Sequence, residues 1–376
     1  HWWKLQYEET IASAKRVLEM LQSMDSLSPD LISKKFVARH AIGSVYYAQG
    51  NAKKALENAQ ELYKGDFQQL NPFDRIRTLY FLGYAHALSA HPEKSKHYGV
   101  KALEIADILN NSFAQELILI IIARAEFSMG QLDQSFEHIT RALMIGEKNN
   151  RVQTVVTANF VLGDIFFALQ NYHQATHHYR VAQIRAGFGY DSYYELENNI
   201  HLTRLLCWTD QLPEAQQIIT KTLQATKTFG MNQLYTQALI VAGLCDLVGR
   251  NLSEAEDKYS KAEEIATQNG LKYEIIWCKI SRVRVELSRH HFDICEVLLE
   301  EILDESRSHN FSWLLLSGLE LCAQLHKAIE QPTELLEYQS AFGSLIDKLE
   351  QNTQSTPLRG DFQNAKRAWE EGHLYP

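Results

Sequence analysis

The sequence is poor in the features that carry chemistry. It has no G-x-x-x-x-G-K-[ST] loop, no H-E-x-x-H pair and no G-x-S-x-G elbow, so phosphate-loop, zinc-protease and serine-hydrolase readings lose their basis. Two glycines do lie close together in Arg185-Ala-Gly-Phe-Gly-Tyr190. They close a helical stretch, whereas a nucleotide loop needs amides pointing out of a helix N-terminus. No acid, base and nucleophile converge, so the chain reads as non-enzymatic and without a cofactor. Cysteine is scarce: Cys207, Cys245, Cys278, Cys295 and Cys322 make an odd set with no C-x-x-C. Each falls within a predicted helix, the pattern of reduced structural cysteines in a cytoplasmic protein. Basic charge is short as well. The net charge of −9 argues against a direct nucleic-acid partner, which would call for a basic excess. The longest apolar run, Leu117 to Ala123, is far too short for a bilayer-spanning helix, so no membrane partner is expected. No secretion signal is visible, and the first residue is His1 rather than methionine, which reads as an excised piece of a larger chain.

What the sequence has is a period. Steps of 40 from Gly43 give Gly83, Ala123, Gly163, Thr203, Gly243, Val283 and Ala323. The same step from Ala55 gives Ser95, Ser135, Ala175, Ala215, Ala255, Cys295 and Leu335. Most of both series is small, and the second series always follows the first by twelve residues. A helix hairpin places such a pair where two helices come closest. LILIIIA at 117–123 resembles a strand in isolation, but the register sets it inside the first helix of a repeat.

Helix ends keep the period too. Asn110, Asn150, Gly230, Gly270 and Asn310 lie 40 apart or multiples of it, with Gly189 one step off. Gly and Asn tolerate positive φ best, which predicts C-terminal caps there. Ser112, Ser192, Asn232 and Ser312 are the predicted N-caps of the next helices, with Gln115 and Glu195 completing capping boxes; Ser253 with Glu256 is a second-helix example. Asn71-Pro72 predicts a helix with proline in its first position.

With small and capping residues in these places, the chain resembles the tetratricopeptide repeat family. The Gly43 series, the Ala55 series and Ala102, Ala142, Ala182 and Ala262 stand where that family has its small residues. The 40-residue period exceeds the common 34. In this it is similar to the superhelical sensor domain of MalT-type bacterial transcription activators and related signalling ATPases. The resemblance implies an all-α, right-handed superhelical solenoid of about eight antiparallel hairpins. The expected organisation is a single solenoid over 1–376. Residues 1–28 form a capping helix, with apolar Ile11, Val17, Leu18 and Leu21 facing the first repeat and Trp2 and Trp3 near the end of the stack. Eight repeats fill 31–352. A C-terminal cap fills 353–376, built from a polar break at Asn352–Pro357 and a turn and helix at Gly360–Trp369.

In this family the first helices line the concave surface, which makes a protein or peptide the expected ligand. Carried onto this sequence, the ligand-facing positions include Arg77, Tyr80, Tyr84, Arg124, Phe127, Asp164, Phe167, Arg204, Trp208, Gln237, Trp277 and Arg284. The groove is expected to be an aromatic and aliphatic trough studded with arginines. Arginine forks suit carboxylates and aromatic rings give contact area, so the partner is expected to carry acidic groups. The other possibility is that the arginines pair with Asp164 and Glu197 within the groove. His173 and His177, one helical turn apart with His178 beside them, have the spacing of a metal pair, but no further ligand arrives at matching spacing and no metal is expected. His290-His291 falls in an inter-helix turn. The leading expectation is a sensor or scaffold arm of a larger cytoplasmic signalling or transcription regulator, with neighbouring ATPase or DNA-binding domains. The alternative is a free-standing scaffold that assembles a multiprotein complex.

Overall fold

The computed structural model describes residues 7–22, 24, 28–65, 67–187 and 192–370. Among these there are 18 α-helices, one short 3-10 turn and no strand. Helix α1 (Tyr7–Gln22) precedes eight hairpins. The first four are α2 (Pro29–Ala48) with α3 (Ala52–Lys64), α4 (Pro72–Leu88) with α5 (Pro92–Ile108), α6 (Ser112–Ser128) with α7 (Leu132–Lys148), and α8 (Val152–Ala168) with α9 (Tyr172–Ala186). The second four are α10 (Ser192–Trp208) with α11 (Leu212–Thr228), α12 (Asn232–Val248) with α13 (Leu252–Asn269), α14 (Lys272–Ser288) with α15 (Phe292–Ser308), and α16 (Ser312–Ala328) with α17 (Pro332–Gln351). Helix α18 (Thr356–Glu370) is the last helix of the described residues. The apolar run 117–123 lies within α6. No helix among the described residues is long and apolar enough to cross a membrane.

The turns explain the period. Asn110, Asn150, Gly230, Gly270 and Asn310 all have positive φ, as their residue types predict; Gly189 lies outside the described residues. The hairpin turns use the same conformation at Gly50, Ala90, Gly130, Gln170, Asp210, Arg250, His290 and Glu330. Most of these residues close their helix with a pair of backbone bonds. Asn110 N–H donates to Asp107 O at 3.0 Å and Asn111 N–H to Ala106 O at 2.9 Å, the Schellman arrangement.

One residue of extended backbone separates the left-handed residue from the next helix. The predicted N-caps therefore fall one place late. Ser112, Asn232 and Ser312 are first helical residues, preceded by Asn111, Met231 and Phe311; Ser192 likewise begins α10. Asn111 does cap, accepting the Ala114 N–H at 3.1 Å. Met231, Leu271 and Phe311 cannot cap, but all are buried. At this position burial beneath the turn takes precedence over a side-chain cap. Gln115 reaches Asp107 at 2.6 Å instead of completing a capping box, and Ser253 sits inside α13, whose cap position is Asn251. Asn71-Pro72 behaves as predicted, with Asn71 Oδ1 accepting the Asp74 N–H at 3.0 Å.

The small residues mark where paired helices touch. Ala55, Ser95, Ser135, Ala175, Ala215, Ala255 and Cys295 have no exposed surface, and neither do Ala102, Ala142, Ala182 and Ala262. The twelve-residue spacing is a physical contact: Ser135 Oγ donates to Ala123 O at 2.8 Å, and a Cβ on Gly83 would lie 3.3 Å from Ser95 O. In two hairpins an aromatic ring fills the space a glycine leaves. A Cβ on Gly243 would come within 2.5 Å of Tyr259, and one on Gly163 within 2.5 Å of Tyr179.

First helices pack on one another in unbroken series from α2 to α16, so they form the inner wall. The hairpins wind through a full superhelical turn, and the second turn then stacks on the first. Gly50 abuts Gln233: a Cβ there would lie 2.6 Å from the Gln233 backbone N, too close to fit. Asn310 Nδ2 donates to Glu93 at 3.2 Å, Ser312 Oγ to Met129 O at 2.9 Å, and Asn171 Nδ2 to Asp361 at 2.9 Å. Turns of the early hairpins thus meet turns of the late ones along one seam.

The ends differ from expectation in detail. In α1, Ala14 and Leu21 are buried and Ala14 packs with Ala38 and Ile42, but Val17 is exposed. Trp2 and Trp3 lie outside the described residues. At the other end the helix begins at Thr356, and Gly360 lies within it rather than at a turn. The start is fixed from across the seam: the Asp133 carboxylate accepts the N–H groups of Gln354 and Ser355 at 2.7 and 2.8 Å, and Ser355 Oγ at 2.6 Å. That external cap replaces the one a turn at Gly360 would supply. Leu358, Phe362, Ala365 and Trp369 are the buried face of α18.

Candidate functional site

The inner wall carries the arginine row. Arg124 on α6, Arg204 on α10 and Arg284 on α14 occupy equal places, with Asp164 on α8 between the first two. Each guanidinium lies over an aromatic ring: Arg124 over Phe160 at 5.0 Å, Arg204 over Phe167 at 4.3 Å and Trp277 at 5.9 Å, and Arg284 over Trp208 at 5.7 Å. Such placement favours a cation whose water has been removed.

Two of the three are ion-paired within the wall. Arg124 donates to Glu197 and Arg204 Nη2 donates to Asp164 Oδ1 at 3.0 Å. The same Asp164 oxygen takes the Tyr179 hydroxyl and the His201 imidazole, each at 2.7 Å. Burial alone would raise the Asp164 carboxyl, but His201, Arg204 and Tyr179 together hold it below the usual range. No carboxylate among the described residues lies within salt-bridge distance of Arg284, which has the nearly buried Glu320 in its field. Of the two possibilities left by the sequence, pairing within the groove describes Arg124 and Arg204 but not Arg284.

Between the two superhelical turns the interior narrows to a cavity of about 190 Å³. Tyr84, Arg124, Phe127, Asp164 and Gln237 line it, so five of the sequence-derived positions converge. Tyr80 stands behind Tyr84 with ring centroids 5.0 Å apart. Phe167, Arg204, Trp208, Trp277 and Arg284 continue the wall beyond the cavity. Arg77 is exposed, 3.7 Å from Asp74, and does not reach it. The interior is therefore not an open trough along its length. The second turn covers it, bringing Gln233, Tyr273, Glu274, Phe311 and Trp313 to the same cavity. Trp313 stacks on Phe127 at 5.6 Å and donates its indole N–H to Phe127 O at 2.8 Å.

Glu274 is the residue the sequence least revealed. It is almost fully buried, and its Oε1 accepts the side-chain amides of Gln233 at 3.0 Å and Gln237 at 2.8 Å. Burial pushes its carboxyl up, and the two amides only partly offset this. It sits in the first turn of α14, outside the positions that the family resemblance supplies. Its signal was composition alone, a carboxylate in an otherwise apolar stretch.

The histidines take ordinary structural places. His178 meets Asn159 Oδ1 at 2.9 Å and stacks on Phe166, and burial pulls it down to about 4. His173 and His177 are exposed. His291 faces Glu286 at 2.6 Å.

No protein-family model matches the sequence, and no curated protein matches it. Solved structures do. A Rap protein complexed with Competence and Sporulation Factor superposes with a TM-score of 0.71 at 13% identity, covering 92% of this chain and 95% of that one. NprR in complex with its cognate peptide NprX gives 0.65 at 14%, covering 90% and 100%. At such identities the likeness is one of fold. This chain is a tetratricopeptide-like helical-repeat superhelix over nearly its whole length.

Proposed function

We propose that this chain is a non-enzymatic peptide-binding sensor module, acting as one solenoid over 1–376. The observation that carries the reading is the lining of the interior. A superhelix that needed its inner wall only for packing would fill it with apolar side chains, because burying charge is costly. This one places Arg124, Asp164, Arg204 and Glu274 there among aromatic rings. NprR in complex with its cognate peptide shares its winding over its whole length, which supports a peptide as the ligand class. The long repeat supports the finer reading of a sensor arm in a larger cytoplasmic signalling or transcription regulator. Acidic groups on the ligand have Arg284 as their natural contact, since the other two arginines of the row already hold carboxylates.

The experiment is retention of a random pentapeptide pool on the immobilised chain, followed by affinity measurement of the retained sequences. Arg284→Ala should weaken them at least tenfold, about 1.4 kcal/mol, while the melting temperature stays close to that of the parent. Normal binding to Arg284→Ala and to Tyr84→Ala, with loss on substitution of exposed residues of the second helices, would place the site elsewhere.

A further inference from the structure

The charges that face the cavity do not balance. Arg124 is matched by Glu197, and Asp164 by Arg204. Glu274 has no ion pair: no cation among the described residues lies within salt-bridge distance, the Arg124 charge already paired with Glu197 reaches it only from further off, and its two hydrogen-bond partners are neutral amides that share one oxygen. The hydrogen-bond balance leans the same way. Gln237 Oε1, an acceptor, is buried without a partner. The missing contribution is therefore a group rich in N–H donors and positively charged. The rings of Tyr47, Tyr84, Tyr273, Phe311 and Trp313 surround the same space, and aromatic faces attract cations but not anions.

We infer that the cavity between the two superhelical turns is a cation subsite, in which Glu274 and Gln237 take one ammonium or guanidinium group of the bound ligand. This rests on the peptide-binding reading and gives it a sign opposite to the one the arginine row suggests. At about 190 Å³ the cavity suits one long side chain or a chain terminus, not a whole peptide. On a peptide the group is a lysine or arginine side chain or the terminal amine. The unoccupied alternative is a proton on Glu274, which would balance the site with no ligand at all.

Two pentapeptide pools separate these possibilities, one with free and one with acetylated N-termini, each passed over the parent and over Glu274→Gln. Enrichment of lysine or arginine in both pools assigns a side chain. Retention of the free-amine pool only, without side-chain enrichment, assigns the terminus. In either case retention on Glu274→Gln should fall at least tenfold, and its melting temperature without ligand should equal or exceed that of the parent. Retained peptides that show no cationic preference, or that bind Glu274→Gln equally, overturn the subsite and leave the peptide reading standing. A separate arm needs neither peptide nor retention: agmatine and spermidine should raise the melting temperature of the parent and not of Glu274→Gln. Should both pools fail to be retained while these amines act through Glu274, the subsite stands and the peptide reading falls. No retention and no amine effect overturns both.

Discussion

Arg250 shows what the turns demand of single residues. Its φ of 63° lies in the left-handed region, where a side chain costs about 1–2 kcal/mol relative to the right-handed helix. The side chain is exposed, so nothing is lost by removing it. Arg250→Gly should raise stability by about 0.5–1 kcal/mol, after the greater freedom of glycine in the unfolded chain is counted; chemical denaturation measures it. This also explains an unread half of the period. Asn and Gly at 110, 150, 230, 270 and 310 advertise positive φ. Ala90, Gln170, Arg250 and Glu330 adopt it under tertiary constraint and advertise nothing. Glu320 supplies a second test. Burial pushes its carboxyl up to about 7, against the pull of Arg284 and Gln324, and its Oε2 is buried without a partner. With the folded value above the unfolded one, the native state binds more protons between about pH 4.5 and 7. Stability from this group is therefore present below that window and lost as pH rises through it. Glu320→Gln should be more stable than the parent at pH 8, by up to about 3 kcal/mol, and indistinguishable near pH 4.5. A constant difference across that range would contradict the assignment. His40 and His86, both drawn down to about 4 by burial, act in the opposite direction below pH 6.5 and remain in both proteins. Arg204 teaches caution of another kind. Because it holds Asp164, charge reversal there would set two carboxylates together, and loss of binding would not be separable from loss of structure.

At the scale of the element, the hairpin was the most legible part of the sequence. Small residues twelve apart carry the helix contact, and backbone sterics leave little choice about what stands there. Ala255 has no exposed surface and lies one helical turn before Tyr259, whose ring fills the gap over Gly243. Ala255→Leu should cost about 1–3 kcal/mol through overpacking; an unchanged melting temperature would mean that this contact is not what sets the hairpin. The caps were less legible because they depend on partners distant in sequence. Gly360 suggested a turn, yet α18 starts earlier, on a carboxylate from α7. Asp133→Ala removes the acceptor of two backbone N–H groups and one hydroxyl. The expected cost is about 1–3 kcal/mol, with faster amide exchange over 356–369.

For the whole molecule, repeat number and hairpin boundaries followed from periodicity, and the expectation that first helices form the inner wall came with the family resemblance. The way the wall closes did not. The pitch of a superhelix is a sum of small rotations between hairpins, and no single residue states it. Glu274 and Trp313 could not be placed beside Arg124 and Phe127 from sequence, since that adjacency exists only once a full turn has been completed. The arginines stand in a row on the inner wall, but their pairing and the charge left over are properties of the closed form.

The seam has a consequence for how the molecule comes apart. In a simple repeat array each unit feels only its neighbours, so the ends fray first and unfolding spreads stepwise. Here the hydroxyl of Ser312 rests on Met129 and Asn171 holds Asp361, which ties early repeats to late ones. Releasing the last hairpin strips support from the third and fourth, so the array behaves as a loop of linked units rather than a row. Native-state exchange should then show the outermost hairpins opening together with interior ones, in one cooperative step of similar free energy. Independent fraying of α17 and α18 at low denaturant, with α6 to α9 still protected, would show that the seam carries no such coupling.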